Sequence, residues 1–293
     1  MKKILFLALV SISASALAAD IKGPLVHGHR GTRGTRPENT LPAFSEALRV
    51  GADVLEMDMD ITKDNVVVIS HEPKVTPERC LGPEGKTLEK PIPIHSLTLE
   101  ELKKYDCGAL PNPKFPRQVL VPGTPMPTLD EMFSMVEAST YPAAAAVQFN
   151  IETKIFPSQP QLTPLPADFI KLVADVVKKH GMEKRVILQS FDVRTLREMK
   201  KQVPEIRTAQ LTSEDLVDIV PALKSSKVDL WSPDSTWITA ESVNDAHAAG
   251  IPVVPWTLDT PKEWDIAIAA GVDAIITDYP ADLIEYLKAK NLR

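Results

Sequence analysis

Three times along this chain a helix-like run ends in glycine and an apolar strand follows at once. The joints are Ala47-Leu-Arg-Val-Gly51 before Asp53-Val-Leu55, Ala246-His-Ala-Ala-Gly250 before Ile251-Pro-Val-Val254, and Ala267-Ile-Ala-Ala-Gly271 before Val272-Asp-Ala-Ile-Ile276. A glycine after the last helical turn accepts the left-handed backbone that turns a helix into a strand. Strands alternating with helices imply a parallel sheet covered by helices. Patterning predicts strands at Leu25–Gly28, Val54–Ile61, Val66–Ile69, Ala146–Glu152, Val186–Gln189, Arg207–Leu211, Val228–Trp231, Val253–Trp256 and Ala274–Thr277. Helices are predicted between most of them, at Leu41–Val50, Leu129–Glu137, Ala167–His180, Val193–Lys201, Ser213–Lys224, Ala240–Ala249, Pro261–Ala270 and Ala281–Lys288. Roughly eight strand–helix units over this length predict an α/β fold of the (β/α)8 TIM-barrel type. A doubly wound sheet is the competing arrangement. It would normally carry a Gly-rich phosphate loop, and neither GxGxxG nor GxxxxGK occurs.

Residues 1–18 are expected to be a signal peptide, leaving 19–293 as the folded unit. Lys2 and Lys3 precede an apolar core at Ile4–Val10, and Ala16-Leu17-Ala18 has the small-x-small form of a cleavage site. The apolar run is too short to span a bilayer, and no other stretch is long enough. The expected product is exported, periplasmic or secreted, without stable membrane insertion. In an oxidising compartment Cys80 and Cys107 are expected to pair, the alternative being two free thiols. A formal net charge of −6 and the lack of any Lys/Arg run argue against a nucleic-acid partner.

Residues 72–127 break the rhythm: they contain eleven of the 26 prolines and both cysteines. Only one helix is predicted there, Leu99–Asp106, capped by Thr98 with Glu101 and ended by Gly108. A stretch this long is an inserted subdomain rather than a connection. Leaving the C-terminal end of a barrel strand, it would sit over the active-site mouth.

Strand periodicity sorts the reactive residues. In Val54–Ile61, Leu55, Met57, Met59 and Ile61 share one face while Glu56, Asp58 and Asp60 share the other. In Ala146–Lys154, Val147, Phe149 and Ile151 oppose Gln148, Asn150, Glu152 and Lys154. The polar sets therefore face the barrel interior, where carboxylates must be paired or bound to metal. Glu56, Asp58 and Glu152 offer an all-oxygen site for one hard divalent cation, Mg²⁺ or Ca²⁺. The plainer alternative is a structural network with Arg30 and Lys154. Asp53 and Asp60 fit loop or capping roles.

His29 and His71 each follow a predicted strand and suit acid–base work. His27, inside the first strand, is ambiguous, one reading being a buried, hydrogen-bonded neighbour of His29. His95, His180 and His247 fit structural roles. Arg30 suits a phosphate and Lys154 adds a second cation. Arg33 and Arg36 read as a solvated loop face, with Arg36 able to touch substrate. Asn39 and Thr40 begin a helix, which leaves Glu38 free to reach the site. Phe191 and Trp256 can wall a pocket or simply pack. No GxSxG elbow occurs.

These residues fall into ordered motifs: His29-Arg30-Gly31, Pro37-Glu-Asn-Thr40, Gly51-Ala-Asp53, Glu56-x-Asp58 and Ser70-His71-Glu72. Ile151-Glu152-x-Lys154, Gln189-Ser-Phe191, Val254-Pro-Trp256-Thr and Thr277-Asp278-Tyr-Pro280 follow. In that order they resemble the glycerophosphodiester phosphodiesterase family over nearly the whole mature chain. The Pro-rich segment with Leu97-Thr-Leu-Glu-Glu-Leu102 is similar to that family's insertion. Gly31-Thr-Arg-Gly-Thr-Arg36 and Asp64-Asn65 depart from its usual pattern without removing a reacting group.

The resemblance implies a divalent metal at Glu56, Asp58 and Glu152. It also implies acid–base catalysis by His29 and His71, and substrate phosphate at Arg30 and Lys154, with Gln189, Phe191 and Trp256 beside it. The expected substrate is a small glycerophosphodiester, cleaved to glycerol 3-phosphate and an alcohol. A related lipid phosphodiesterase of the phospholipase type is the second reading, weakened because no amphipathic apolar rim shows in the sequence. A non-catalytic binding protein is the third, opposed by the intact reactive set.

Overall fold

The computed structural model describes residues 22–215 and 218–293. The expected signal peptide falls outside the described residues. Among them no helix is long and apolar enough to cross a membrane. The chain opens with β1 (Leu25–Gly28), α1 (Leu41–Val50), β2 (Val54–Ile61) and β3 (Val67–Ile69). The insertion holds β4 (Lys74–Val75), β5 (Ile92–Pro93) and α2 (Leu99–Leu102). Then come α3 (Leu129–Glu137), β6 (Gln148–Thr153), α4 (Pro166–Lys179), β7 (Val186–Ser190), α5 (Val193–Gln202) and β8 (Arg207–Thr212). The chain closes with α6 (Ile219–Ser226), β9 (Leu230–Pro233), α7 (Ala240–Ala248), α8 (Pro261–Ala270), β10 (Ala274–Thr277) and α9 (Pro280–Ala289).

Parallel pairing runs β10-β1-β2-β6-β7-β8-β9. Residues 253–258 close the ring as its eighth stave. The Val254 and Trp256 amides donate to the Trp231 and Pro233 carbonyls of β9. On the other side the Ile276 amide donates to Pro255 and the Leu258 amide to Ile276. This is the predicted strand Val253–Trp256. Pro252 and Pro255 lack amide hydrogens, so hydrogen bonds come singly and no continuous ladder forms. Gly51 and Gly271 cap α1 and α8 at φ 88° and 84°, and Gly250 lies one residue past the α7 cap at φ 74°.

Two expectations change. The Val66–Ile69 segment is not a stave: β3 folds back antiparallel on β2, with Met59 opposite Ile69 and Ile61 opposite Val67. The predicted helix Leu99–Asp106 is a single turn, Leu99–Leu102, capped by Thr98 and Glu101 and ended at Lys103 rather than Gly108. Asp106 leaves it to exchange two backbone hydrogen bonds with Leu81, and its carboxylate takes the amides of Gly108, Gly123 and Thr124. These tertiary hydrogen bonds outweigh the continued helix.

The insertion has its own small core, in which Val75, Cys80, Ile94, Leu102 and Met126 pack on Val68. Cys80 and Cys107 are disulfide-bonded. The Val119 amide donates to Thr35, Gln118 donates to the Arg33 and Arg36 carbonyls, and Arg117 pairs with Asp282. The insertion therefore clamps the loop after β1 and the first turn of α9, at the C-terminal end of the staves. Closing a loop across the 27-residue separation stabilises by about 3–4 kcal/mol through the unfolded chain. A Cys80→Ala/Cys107→Ala protein is expected to lose about that much in urea unfolding.

Leu55, Met57, Met59 and Ile61 of β2 join Phe149 and Ile151 of β6 in the outer core, where Phe44, Phe133 and Phe169 from the helices fill the layer. The alternation therefore holds, and every polar residue of β2 points inward. A smaller apolar cluster lies inside the ring and joins Ile187, Ala209, Leu230, Val254, Ala274 and Ile276.

Candidate active site

Register brings the carboxylates together. β2 and β6 align Asp58 with Glu152 and Glu56 with Asn150, and β6 and β7 align Glu152 with Gln189. One ligand oxygen from each of Glu56, Asp58 and Glu152 lies within 4.8 Å of the others. All three are buried.

The turn after β1 supplies the next two groups. Arg30 stands in the left-handed region at φ 49°, unusual for a side chain of its kind, and Gly31 follows at φ 84°. A Cβ on Gly31 would lie 2.7 Å from the Ala43 backbone, so α1 requires glycine there. This turn aims the Arg30 amide at Glu56 (2.8 Å) and its guanidinium at Asp58 (3.4 Å) and Glu38 (2.7 Å). His29 donates from Nδ1 to Asp278 at 2.7 Å, while its Nε2 lies 3.9 Å from Glu56.

His71 arrives by a different route. Because β3 runs antiparallel to β2, the chain returns to the level of Asp58, whose carbonyl accepts the Ser70 amide. His71 then donates from Nδ1 to Glu72 at 2.9 Å. His29, His71, Arg30, Glu56 and Glu152 all line one cavity of about 380 Å³. Lys154, Gln189, Phe191 and Trp256 line it too, and the last two meet edge to face at 5.7 Å. Of the site residues predicted from sequence, Asp58 alone lies beneath the lining, held by Asn39 Nδ2 at 2.8 Å. Gln189 is fully engaged: it donates to Glu56 and accepts from Asn150.

Charge accounting separates the two readings of the carboxylates. Lys154 lies 2.7 Å from Glu152 and 3.7 Å from Asp58, and Arg30 divides itself between Asp58 and Glu38. The structural network therefore exists, but it is short of positive charge. Among the described residues Glu56 has no Lys or Arg ion-pair partner for its carboxylate, and Asp58 Oδ1 has no hydrogen-bond donor. Burial and the neighbouring Asp58 and Glu152 push the Glu56 carboxyl well up. Burial also raises Glu152, against the pull of Lys154. Burial works against ionisation of Asp58 too, but His71, Arg30, Lys154 and Asn39 together hold it low. An all-oxygen set with surplus negative charge and an orphaned oxygen fits a hard divalent cation.

Several residues stand elsewhere than sequence reasoning expected. Asp60 is no loop or cap: it is wholly buried in β2, where burial raises its carboxyl. Arg33 is not a solvated face but a bidentate partner of Asp278, at 2.8 and 2.7 Å, and lines the cavity. Arg36 pairs with Glu46 and does not line the cavity. Glu38 bridges Arg30 to Arg79 of the insertion. Thr40 caps α1 as expected, whereas Asn39 also serves Asp58. His27 is buried away from the cavity, pushed down to about 3 by burial and Arg207. His95, His180 and His247 bond to Ile61, to Asp130 with Glu137, and to Asp273.

Asp278 is the main residue that sequence reasoning left without a role. It sat in a recognised motif, but only the closed ring puts β10 beside β1 and hence Asp278 under His29.

A closed parallel barrel with acids, two histidines and cations at the C-terminal mouth is an enzyme of the TIM-barrel class. The glycerophosphoryl diester phosphodiesterase family model matches residues 29–282. The chain belongs to that family and is a phosphoric diester hydrolase. It is 33% identical over 266 residues to a glycerophosphodiester phosphodiesterase of Caldanaerobacter subterraneus, covering 90% of this chain and 98% of that protein. Among solved structures, a putative glycerophosphoryl diester phosphodiesterase from Silicibacter pomeroyi superposes with a TM-score of 0.86 at 29% identity, covering 92% and 94% of the two chains. An Oleispira antarctica phosphodiesterase, solved with its product sn-glycerol-3-phosphate, shares the fold with a TM-score of 0.74 at 22% identity, covering 91% and 97%.

Proposed function

We propose that this enzyme hydrolyses glycerophosphodiesters to glycerol 3-phosphate and an alcohol. The observation that carries the reading is the pairing of the undercompensated Glu56–Asp58–Glu152 cluster with two histidines, each tied through Nδ1 to a carboxylate. A divalent cation on that cluster, Mg²⁺ or Ca²⁺, would supply positive charge against the phosphate oxygens. Arg30 and Lys154 would hold the phosphate and oppose the charge that builds on it. Phe191 and Trp256 would wall the bound substrate, and Gln189 would keep Glu56 in place.

The Asp278 bond fixes the His29 tautomer, leaving Nε2 bare toward the cavity. Burial pushes His29 down to about 4 in spite of Asp278, so at neutral pH it is an uncharged base. It takes the proton of the attacking hydroxyl. The more open His71, 29% exposed, gives a proton to the departing alkoxide as the phosphorus–oxygen bond to the alcohol breaks. Water supplies, overall, the new oxygen on phosphorus and the hydrogen on the alcohol.

The test is release of glycerol 3-phosphate from glycerophosphocholine by pure protein with Mg²⁺ or Ca²⁺. No release across several head groups would sink the reading. Asp278→Asn is expected to lower kcat by about 10²-fold with KM nearly unchanged, because it misorients His29 without touching substrate. A comparable rise in KM would instead assign Asp278 to binding. We propose export as well, supported by the tripartite pattern of residues 1–18 and by the bonded Cys80–Cys107 pair. Mass analysis of the N-terminus of protein from the cell envelope would show cleavage near Ala18, and an intact cytoplasmic chain would contradict it.

A further inference from the structure

The carboxylate that orients His29 is itself held by a second one. Asp278 follows β10, where the parallel ladder has stopped and α9 begins without a side-chain cap of its own. The Asp278 amide donates instead to Asp259 Oδ1 at 2.8 Å, and the Thr277 hydroxyl donates to the same oxygen at 3.1 Å. Thr277 Oγ1 in turn accepts the Tyr279 amide at 3.2 Å. Asp259 comes directly after the eighth stave, and its own amide donates to Glu263 in the first turn of α8 at 2.9 Å. It does not line the catalytic cavity.

The carboxyl groups of Asp259 and Asp278 also lie within hydrogen-bonding reach of each other. Two adjacent carboxylates repel, so one proton between them is the stable arrangement near neutrality. Burial works against ionisation of Asp278, but His29 and Arg33 hold it low. Burial, and then the charge of Asp278, push the Asp259 carboxyl up to about 7. The other charged or titratable groups about the pair are Tyr279 on the same turn, Glu263 of α8, and Arg117 of the insertion, which lies over the Tyr279 ring.

We propose that Asp259 is a positioning residue for the reaction: it carries the proton that the two acids share, donates it to Asp278 as a hydrogen bond, and so keeps that carboxylate aimed at His29 Nδ1. The inference rests on the reading of His29 as the base and goes one hydrogen bond further back. Asp259 touches no substrate. Without its donor the Asp278 carboxylate is free to turn, and the imidazole turns with it.

Two substitutions test this. Asp259→Asn keeps both functions, since its amide oxygen can accept from Thr277 and Asp278 while its Nδ2 donates to the Asp278 carboxylate. Asp259→Ala keeps neither. With glycerophosphocholine, D259A is expected to lower kcat about tenfold with KM within about twofold, and D259N to restore most of the loss. Nitrogen-edited NMR in EDTA follows the His29 Nδ1 proton without turnover. Its resonance should be sharp in the parent and in D259N at about pH 6, and broadened or lost in D259A. As pH rises through about 7 Asp259 gives up its proton, so the parent resonance should broaden while that of D259N should not. Unchanged kcat in D259A, or a D259N protein as slow as D259A, would overturn the proposal. So would a His29 resonance that neither D259A nor pH alters, which would make Asp259 a brace of the turn and nothing more. If D259A does not fold, the comparison of parent and D259N across pH decides alone. If glycerophosphocholine is not hydrolysed at all, the phosphodiesterase reading falls, and the resonance still tests the positioning.

Discussion

His29→Gln and His71→Gln are each expected to lower kcat/KM for glycerophosphocholine by about 10²–10⁴-fold while leaving the barrel folded. The two act on opposite sides of one transfer, so the double variant should lose little more than the worse single one. Neither substitution opens a cavity, since glutamine keeps comparable bulk and one donor. Circular dichroism and thermal unfolding should therefore stay close to those of the parent enzyme. A folded His29→Gln or His71→Gln protein with more than a tenth of the activity would remove that histidine from the reaction. The pH profile carries a sign as well. A base works in its neutral form, and burial pushes His29 down to about 4. Its activity should hold as pH falls through 6 and fail only toward 4, whereas a base that was an exposed imidazole would fail in the same direction near 6.5.

Chelation should be equally decisive. With EDTA, turnover is expected to vanish and the melting temperature to fall, and Mg²⁺ or Ca²⁺ should restore both. At a hundredfold excess over Kd a bound ion stabilises by about 2.7 kcal/mol, which for a chain of this size is roughly 5–10 °C. Glu56→Gln separates a cation site from a structural ion network. Among the described residues Glu56 has no Lys or Arg ion-pair partner, so its loss strands no buried cation and should leave the metal-free melting point nearly unchanged. It should nevertheless abolish the cation-induced rise and the activity. Glu152→Gln should behave differently, costing several kcal/mol even without metal, because it leaves Lys154 buried beside a lost partner. An EDTA-treated enzyme that keeps full activity would sink the metal reading.

How much was legible depended on range. Alternation of apolar and polar residues along β2 and β6 is a local property, and it told correctly that Glu56, Asp58 and Glu152 face inward. Glycine caps and capping boxes are local too, and helices α1, α3 and α8 have the predicted bounds. Predictions failed where a distant partner outbid the local pattern. Asp106 left its helix for Leu81, and the segment before His71 turned antiparallel instead of becoming a stave. Arg33 looked solvated because its partner, Asp278, is 245 residues away in the chain.

The sequence by itself determined the alternation of elements, the inward set of acids on two strands, the reactive residue types and the family they belong to. These depend on periodicities of two and 3.6 residues and on motif order, which need no knowledge of what lies across the ring. The tertiary structure alone decided that β10 closes on β1, so that Asp278 orients His29. It also decided that β3 reverses to deliver His71. Each of these is a contact between segments far apart in the chain, set by barrel closure and register rather than by any local preference.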